Sequence, residues 1–212
     1  KHKGFFEQVG LEVTLVREAS WASLRDRLAF GILDAAHCLS AMLPAAQAGT
    51  DQVGIPFKTS LVLSQNATFI SLSQKLCYEL GITAQDSTSQ TAHKLATILP
   101  ERQIRLAQVF GHSLHHYCLR EWLALADRNV AKDIKLLTLP PPYMVEAIST
   151  GLIDGFCVGE PWNTQGEILG KSQIVASGLD IVPDVADKVL AVTEEWAKRH
   201  PETLLALSTA LR

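Results

Sequence analysis

The chain has 212 residues, 47% of them hydrophobic and 19% charged, with a formal net charge of −3. That length buries about 70% of the unfolded surface, enough for one large domain or two lobes. The slight acidic balance excludes a field that would gather nucleic acid or an anionic membrane, and no apolar run reaches the ~18 residues of a bilayer span.

In chain order, Lys1-His2-Lys3-Gly4 reads as the end of a helix with Gly4 as breaker. No long apolar segment follows it, so it is not a signal peptide. An α/β chain usually opens on a strand, so the native N-terminus is expected to lie before Lys1. A strand follows at 13–16 and an amphipathic helix from Trp21 to Gly31. Further strands are expected at 60–64 and 67–71. The polar run "ITAQDSTSQTAHK" (82–94) reads as the passage from a first lobe to a second. A strand at 103–110 leads into a helix from Ser113, with Leu119, Trp122, Leu123 and Ala126 at helical spacing. A strand at 134–139, a helix ending at Gly151 and a strand at 153–158 come next. A helix at 160–169, the strand "QIVAS" and the strand "VLAV" (189–192) follow. Thr193 caps a helix and Pro201 starts the last one. The chain ends inside a helical pattern, so its C-terminus is also expected to be shortened.

Residues 11–38 align without a gap over 131–158, an offset of 120. Each copy reads strand, turn, helix, glycine and strand, and "GILDAA" answers "GLIDGF". A strand–helix–strand unit of this length implies parallel pairing with a right-handed crossover. Two distant copies imply two α/β lobes, divided as 1–84, 85–186 and a return to the first lobe at 187–212. Asp34 and Asp154 occupy equivalent places and read as braces for the turn into a strand. Gly31 and Gly151 end their helices, where a left-handed cap is expected.

Ligands of open α/β sheets gather beyond the carboxyl ends of the strands. The loops there carry Trp21, the histidines of "GHSLHH" (111–116), three prolines (140–142) and Gly159-Glu160-Pro161. Pro161 fits the first helical position, which would leave the Gly159 and Glu160 amides open to an anion. The plainer reading is a helix start with Glu160 on its own dipole. His115 is either a donor to an oxyanion or a helix-surface histidine. His112, His115 and His116 invite a metal, but lack the glutamate of H-E-x-x-H. Trp21 is a donor or a core residue, and Lys188 pairs with a buried anion or faces water.

No nucleotide, phosphate-loop or nucleophile motif appears, so neither an enzyme nor a cofactor is expected. Cys38, Cys77, Cys118 and Cys157 form no C-x-x-C pair; Cys38 and Cys157 sit in apolar runs as buried thiols, leaning toward a reducing compartment.

The run "PPPYMVEAISTGLIDGFCVGEPWN" (140–163) resembles the nitrate/bicarbonate-binding NrtA/CmpA family of ABC-transporter substrate-binding proteins, to which NasS-type nitrate sensors are related. "ASWASLRDRLAFGILDAAH" (19–37), "HHYCLREWLA" (115–124) and "DKVLAVTEEWAKRHPETL" (187–204) resemble it too, so the similarity covers nearly the whole chain. The resemblance implies a type II periplasmic-binding-protein fold: a clamshell of two doubly wound α/β lobes, here shortened at the ends, closing on a small inorganic anion.

It also implies ligand contacts at Trp21, Thr68, His115, Gly159, Glu160 and Lys188, with Lys188 and protonated His115 supplying positive charge. Thr68 departs from the Gln or Asn that transporters often carry. No metal is implied for nitrate. Binding without catalysis is expected, of nitrate or nitrite, with bicarbonate as another candidate. The partners are then ABC-transporter membrane subunits, or a cytoplasmic regulatory protein if the chain is a sensor. The location is the cell surface or periplasm in the first case and the cytoplasm in the second. Replacing His115 or Lys188 is expected to abolish binding and to leave the ligand-free melting point nearly unchanged.

Overall fold

The computed structural model describes residues 2–212, with the Asp133 side chain excepted. Its first helical turn, α1 (Phe5–Gln8), buries Phe6. Residues 11–18, where Val13 and Leu15 alternate as in a strand, take no regular structure. Leu15 and Val16 are 68% and 50% exposed. The expected strand at 13–16 is thus corrected. A strand exists through a hydrogen-bonded neighbour, and among the described residues no strand pairs with this segment.

Helix α2 (Trp21–Ala29) starts where Ser20 accepts the Ser23 N–H at 3.1 Å. It ends at Gly31, whose φ of 71° no β-carbon tolerates well. Gly151, at φ 70°, does the same in the second copy of the repeat. Strand β1 (Ala36–Leu39), helix α3 (Met42–Gln47) and strand β2 (Phe57–Gln65) complete the first passage.

The chain then runs through β3 (Thr68–Ser73), α4 (Gln74–Glu79), α5 (Thr88–Ala96), β4 (Leu106–Gln108), α6 (Leu114–Ala124) and α7 (Arg128–Asp133). Next come β5 (Leu136–Thr138), α8 (Met144–Ser149), β6 (Gly155–Gly159), α9 (Trp162–Ile168), β7 (Ser172–Ser177) and α10 (Gly178–Ile181). It returns as β8 (Ala186–Thr193), α11 (Glu194–Arg199) and α12 (Pro201–Ala210). Thr193 caps α11 by accepting the Trp196 N–H, and Pro201 opens α12.

Two compact units result: the segment through Gln65 with Ala186–Arg212, and Asn66–Val185. The first crossing therefore falls at 65/66, where the sequence reading put it after residue 84. The reason is strand pairing. β3 bonds to β6 and β7, both far along the chain, and draws α4 with it. The polar run at 82–94 is instead the start of α5: the Ser87 hydroxyl accepts the Gln90 N–H and the Gln90 side chain accepts the Ser87 N–H. Its polarity belongs to a capping box, not a linker.

In the second unit the sheet order is β5-β4-β6-β3-β7. β4 is parallel to β5 and β6, so the second copy of the repeat keeps its parallel strands. β3 runs antiparallel to both neighbours. The first unit's sheet, β1-β8-β2, is antiparallel throughout. There the parallel pairing expected of the first copy does not form, because its opening strand is missing. Both units are α/β, and the second packs Ile70, Leu72, Leu95, Leu106, Leu119 and Trp122 into one core. All four cysteines are buried thiols. Burial pushes Cys38 and Cys77 up to about 12, so neither is a nucleophile at neutral pH.

The paired aspartates brace their turns. Asp34 Oδ1 accepts the Trp196 indole N–H at 3.0 Å. Asp154 accepts the Arg105 backbone N–H at 2.8 Å and both arms of its guanidinium at 3.0 Å. Burial alone would raise the Asp154 carboxyl, but these Arg105 contacts outweigh it and hold it below its ordinary 3.8. A carboxyl depressed in the folded state contributes its full stabilisation above the unfolded value and loses it as pH falls through the folded one. Asp154→Asn should therefore flatten the loss of stability that begins as pH drops below 3.8. Urea unfolding at stepped pH reads this; an acid limb matching the parent's would refute the brace.

Candidate functional site

Of the six ligand contacts expected, Trp21 and Lys188 belong to the first unit; Thr68, His115, Gly159 and Glu160 belong to the second.

In the first unit Ser20 fixes Trp21 at the first position of α2. Lys188 lies on β8, opposite Leu39 of β1 and Ser64 of β2. Its ammonium stands 5.8 Å from the centroid of the Trp21 ring, within cation–π reach. The His37 ring is 6.3 Å from that of Trp21. The structure thus brings Trp21 and Lys188 together and adds His37. Burial lowers the His37 pKa, the Lys188 ammonium lowers it further, and Asp187 opposes them. The imidazole is therefore neutral at pH 7.

Lys188 is already engaged. Its Nζ donates to Asp187 Oδ2 at 2.5 Å, with side chains only 12% and 2% exposed. Neighbours on a strand normally point to opposite faces, and an irregularity in the ladder accounts for the exception. Ser64 pairs with Lys188 and Gln65 with Ala186, so Asp187 is the extra residue on β8. Such bulges re-aim a side chain. Asp187 O still accepts the Ser40 N–H at 3.0 Å, but its Oδ1 is buried with no hydrogen-bond partner among the described residues. This pairing argues against the expectation that Lys188 can be replaced without harm to the fold, since its removal strands a buried carboxylate.

In the second unit Thr68 opens β3 opposite Gly159, the last residue of β6. Thr68 is fully buried, and its hydroxyl has no hydrogen-bond partner among the described residues. Gly178 closes over it: a β-carbon there would fall 2.9 Å from Thr68 O and 3.6 Å from Cys118 Sγ. His115 sits in the first turn of α6 and is 1% exposed, so it is not a surface histidine. Ser113 caps this helix by accepting the His116 N–H at 3.1 Å, while its hydroxyl donates to Phe110 O at 2.6 Å. Burial lowers the His116 pKa, with Arg120 and His112 adding to the effect. Among the described residues no three His, Cys, Asp or Glu side chains gather to hold a metal ion.

The turn after β6 departs from expectation. Pro161 is the cap residue and α9 begins at Trp162; the Glu160–Pro161 bond is cis. The Glu160 N–H donates to Ala67 O at 3.3 Å, so it is not the open amide an anion would need. The Glu160 carboxylate accepts the Thr164 N–H at 3.2 Å and serves its own helix. Sequence reasoning missed Asn163, which is fully buried. Its Nδ2 donates to Val158 O and its Oδ1 accepts from Ser71 Oγ, each at 2.8 Å. It ties the turn to β6 and β3. The signal was there, an amide placed at once after "EPW". A second missed residue is Asp187, signalled by an acid directly before the lysine of "DKVLAV".

A polar groove elsewhere in the second unit is bordered by Lys75, Arg102 and Arg105. Glu79 and Asp154 already engage both arginines.

Comparison with known proteins gives a family and relatives. The model of a family described as NMT1-like matches residues 1–212. The chain is 38% identical over 214 residues to the nitrate import ATP-binding protein NrtC of Synechocystis, covering all of this chain and 31% of that one. It is 38% identical over 213 residues to the bicarbonate transport ATP-binding protein CmpC of the same organism, again all of this chain and 31% of the relative. The chain thus spans about a third of the length of these curated relatives. Among solved structures, the periplasmic nitrate-binding protein NrtA from Synechocystis PCC 6803 matches with a TM-score of 0.87 at 26% identity, over 100% of this chain and 55% of that one. The architecture is that of the periplasmic binding proteins, with a mixed sheet in the second unit.

Proposed function

This chain belongs to the NMT1-like family, and from that premise we propose that it binds a small planar oxyanion of the nitrate, nitrite or bicarbonate type for an ABC transporter. The observation that carries the reading is its likeness, along its whole length, to NrtA, a nitrate-binding protein. The contacts we assign are Lys188 and the Trp21 N–H in the first unit, and Thr68, His115 and Gly159 in the second. Glu160 drops out, since its amide and carboxylate are both committed. Lys188 supplies charge, Trp21 a donor and a flat face, and the buried Thr68 hydroxyl a donor without a competing partner. Low exposure at these positions strengthens each polar contact. The residues hold a ligand and perform no reaction on it. The relatives' names describe transport components, which favours this role over a free-standing sensor.

A second reading rests on identity. The chain is more similar to stretches of two ATP-binding components, at 38%, than to NrtA of three cyanobacteria, at 29%, 32% and 27%. On that reading the domain senses the anion as part of, or beside, the transporter's ATP-binding subunit.

A thermal-shift titration with nitrate, nitrite, bicarbonate and sulfate tests the common core of both. A ligand at 100 times its dissociation constant adds about 2.7 kcal/mol of stability. We expect that response from a planar monoanion. No response to any of the four, against a clear one to an alkanesulfonate, would reject the oxyanion reading.

A further inference from the structure

We propose that Asp187 sets the ligand preference of this chain: its buried Oδ1 accepts a hydrogen bond from the hydroxyl of a planar oxyanion held by Lys188, so bicarbonate is preferred over nitrate and nitrite. The inference rests on the oxyanion reading above and refines it.

Three observations converge on Asp187. It is the extra residue of the β8 ladder, at a place where the irregularity turns its side chain onto its neighbour. Its Oδ2 takes the Lys188 ammonium at 2.5 Å, which ties the carboxylate to the cation assigned to the ligand. Its Oδ1 is buried without a hydrogen-bond partner among the described residues, on a side chain 2% exposed. A buried acceptor left unsatisfied is costly and seeks a donor.

The ligands differ at this point. Nitrate and nitrite carry acceptors only. Brought to Lys188, they would face the Asp187 carboxylate with no hydrogen to donate to it. Bicarbonate has the flat shape and single charge of nitrate but keeps one O–H. That hydroxyl can bond Oδ1 while the other oxygens accept from the ammonium and from Trp21. Sites built to bond a hydroxyl reject the analogue that lacks it, because a buried group is then left unpaired. Overall similarity does not separate the ligands, since identity to the nitrate and bicarbonate components is the same 38%.

Calorimetric titration of the whole chain with bicarbonate, nitrate and nitrite, in a sealed cell at one mildly alkaline pH and fixed ionic strength, decides the matter. A hydrogen bond to a charged group corresponds to about tenfold in affinity or more. The parent should therefore bind bicarbonate at least about tenfold more tightly than nitrate. Asp187→Asn, whose amide donates where the carboxylate accepted, should collapse or reverse that ratio. Nitrate binding as tight as bicarbonate in the parent overturns the inference, whether or not the variant folds. A ratio unchanged in a folded Asp187→Asn protein overturns it as well. Binding of none of the three sinks the oxyanion reading itself, a different result from binding without preference.

Discussion

Lys188→Met should lower the stability of the ligand-free protein by about 3–5 kcal/mol, the range for breaking a buried ion pair from one side. The ammonium and the Asp187 carboxylate meet at 2.5 Å with little exposure on either side chain. Methionine fills much of the lysine's volume, so the loss reports the charge rather than a cavity. Urea unfolding should show a lower midpoint with an unchanged slope. The double variant Asp187→Asn, Lys188→Met should recover much of the loss, because a neutral pair has no desolvated charge to compensate. A single variant as stable as its parent would mean that the pair is wetter than the structure shows, and Lys188 would regain its standing as a cation reserved for the ligand.

The same residues show what the sequence could and could not disclose. Lys188 was legible as a cation at the start of a strand, able to pair with a buried anion. Its partner was not, because strict alternation puts consecutive residues on opposite faces, and only the pairing of β8 with β2 reveals that Asp187 is the extra residue. Local chemistry was readable wherever a single turn decides it. Ser20, Ser113 and Thr193 cap their helices, and Gly31 and Gly151 end α2 and α8 in the left-handed region. Long-range pairing was not readable. The strand expected at 13–16 has the right alternation and no partner. β3 follows β2 after two residues yet belongs to another sheet. At Gly159-Glu160-Pro161 the open-amide reading gave way because Ala67 O claims the Glu160 N–H, a contact across the sheet that no motif announces. His115 was singled out, but its burial depended on how α6 packs on β3 and β6.

Trp122→Ala should destabilise the protein by about 3–5 kcal/mol, as for other large core aromatics cut to a methyl. The ring is fully buried on α6, in the core that also holds Leu95 and Leu119. Its indole N–H donates to Thr88 O at 3.1 Å and Thr91 Oγ1 at 3.2 Å, which fastens α6 to α5. Trp122→Phe separates packing from bonding. It keeps most of the apolar area and loses only the donor, so a loss of about 1–2 kcal/mol is expected. Thr91 Oγ1 also lies within bonding distance of Thr88 O and Val175 O, which softens the penalty. Trp122 stands about two turns along α6 from His115. A folded Trp122→Phe protein should therefore keep the parent's ratio of bicarbonate to nitrate affinity while its unfolding midpoint drops. Stability lost without a change of preference would show that Trp122 holds the fold of the second unit and takes no part in the choice of ligand. A Trp122→Ala protein with the parent's midpoint would instead show that α6 does not depend on this side chain.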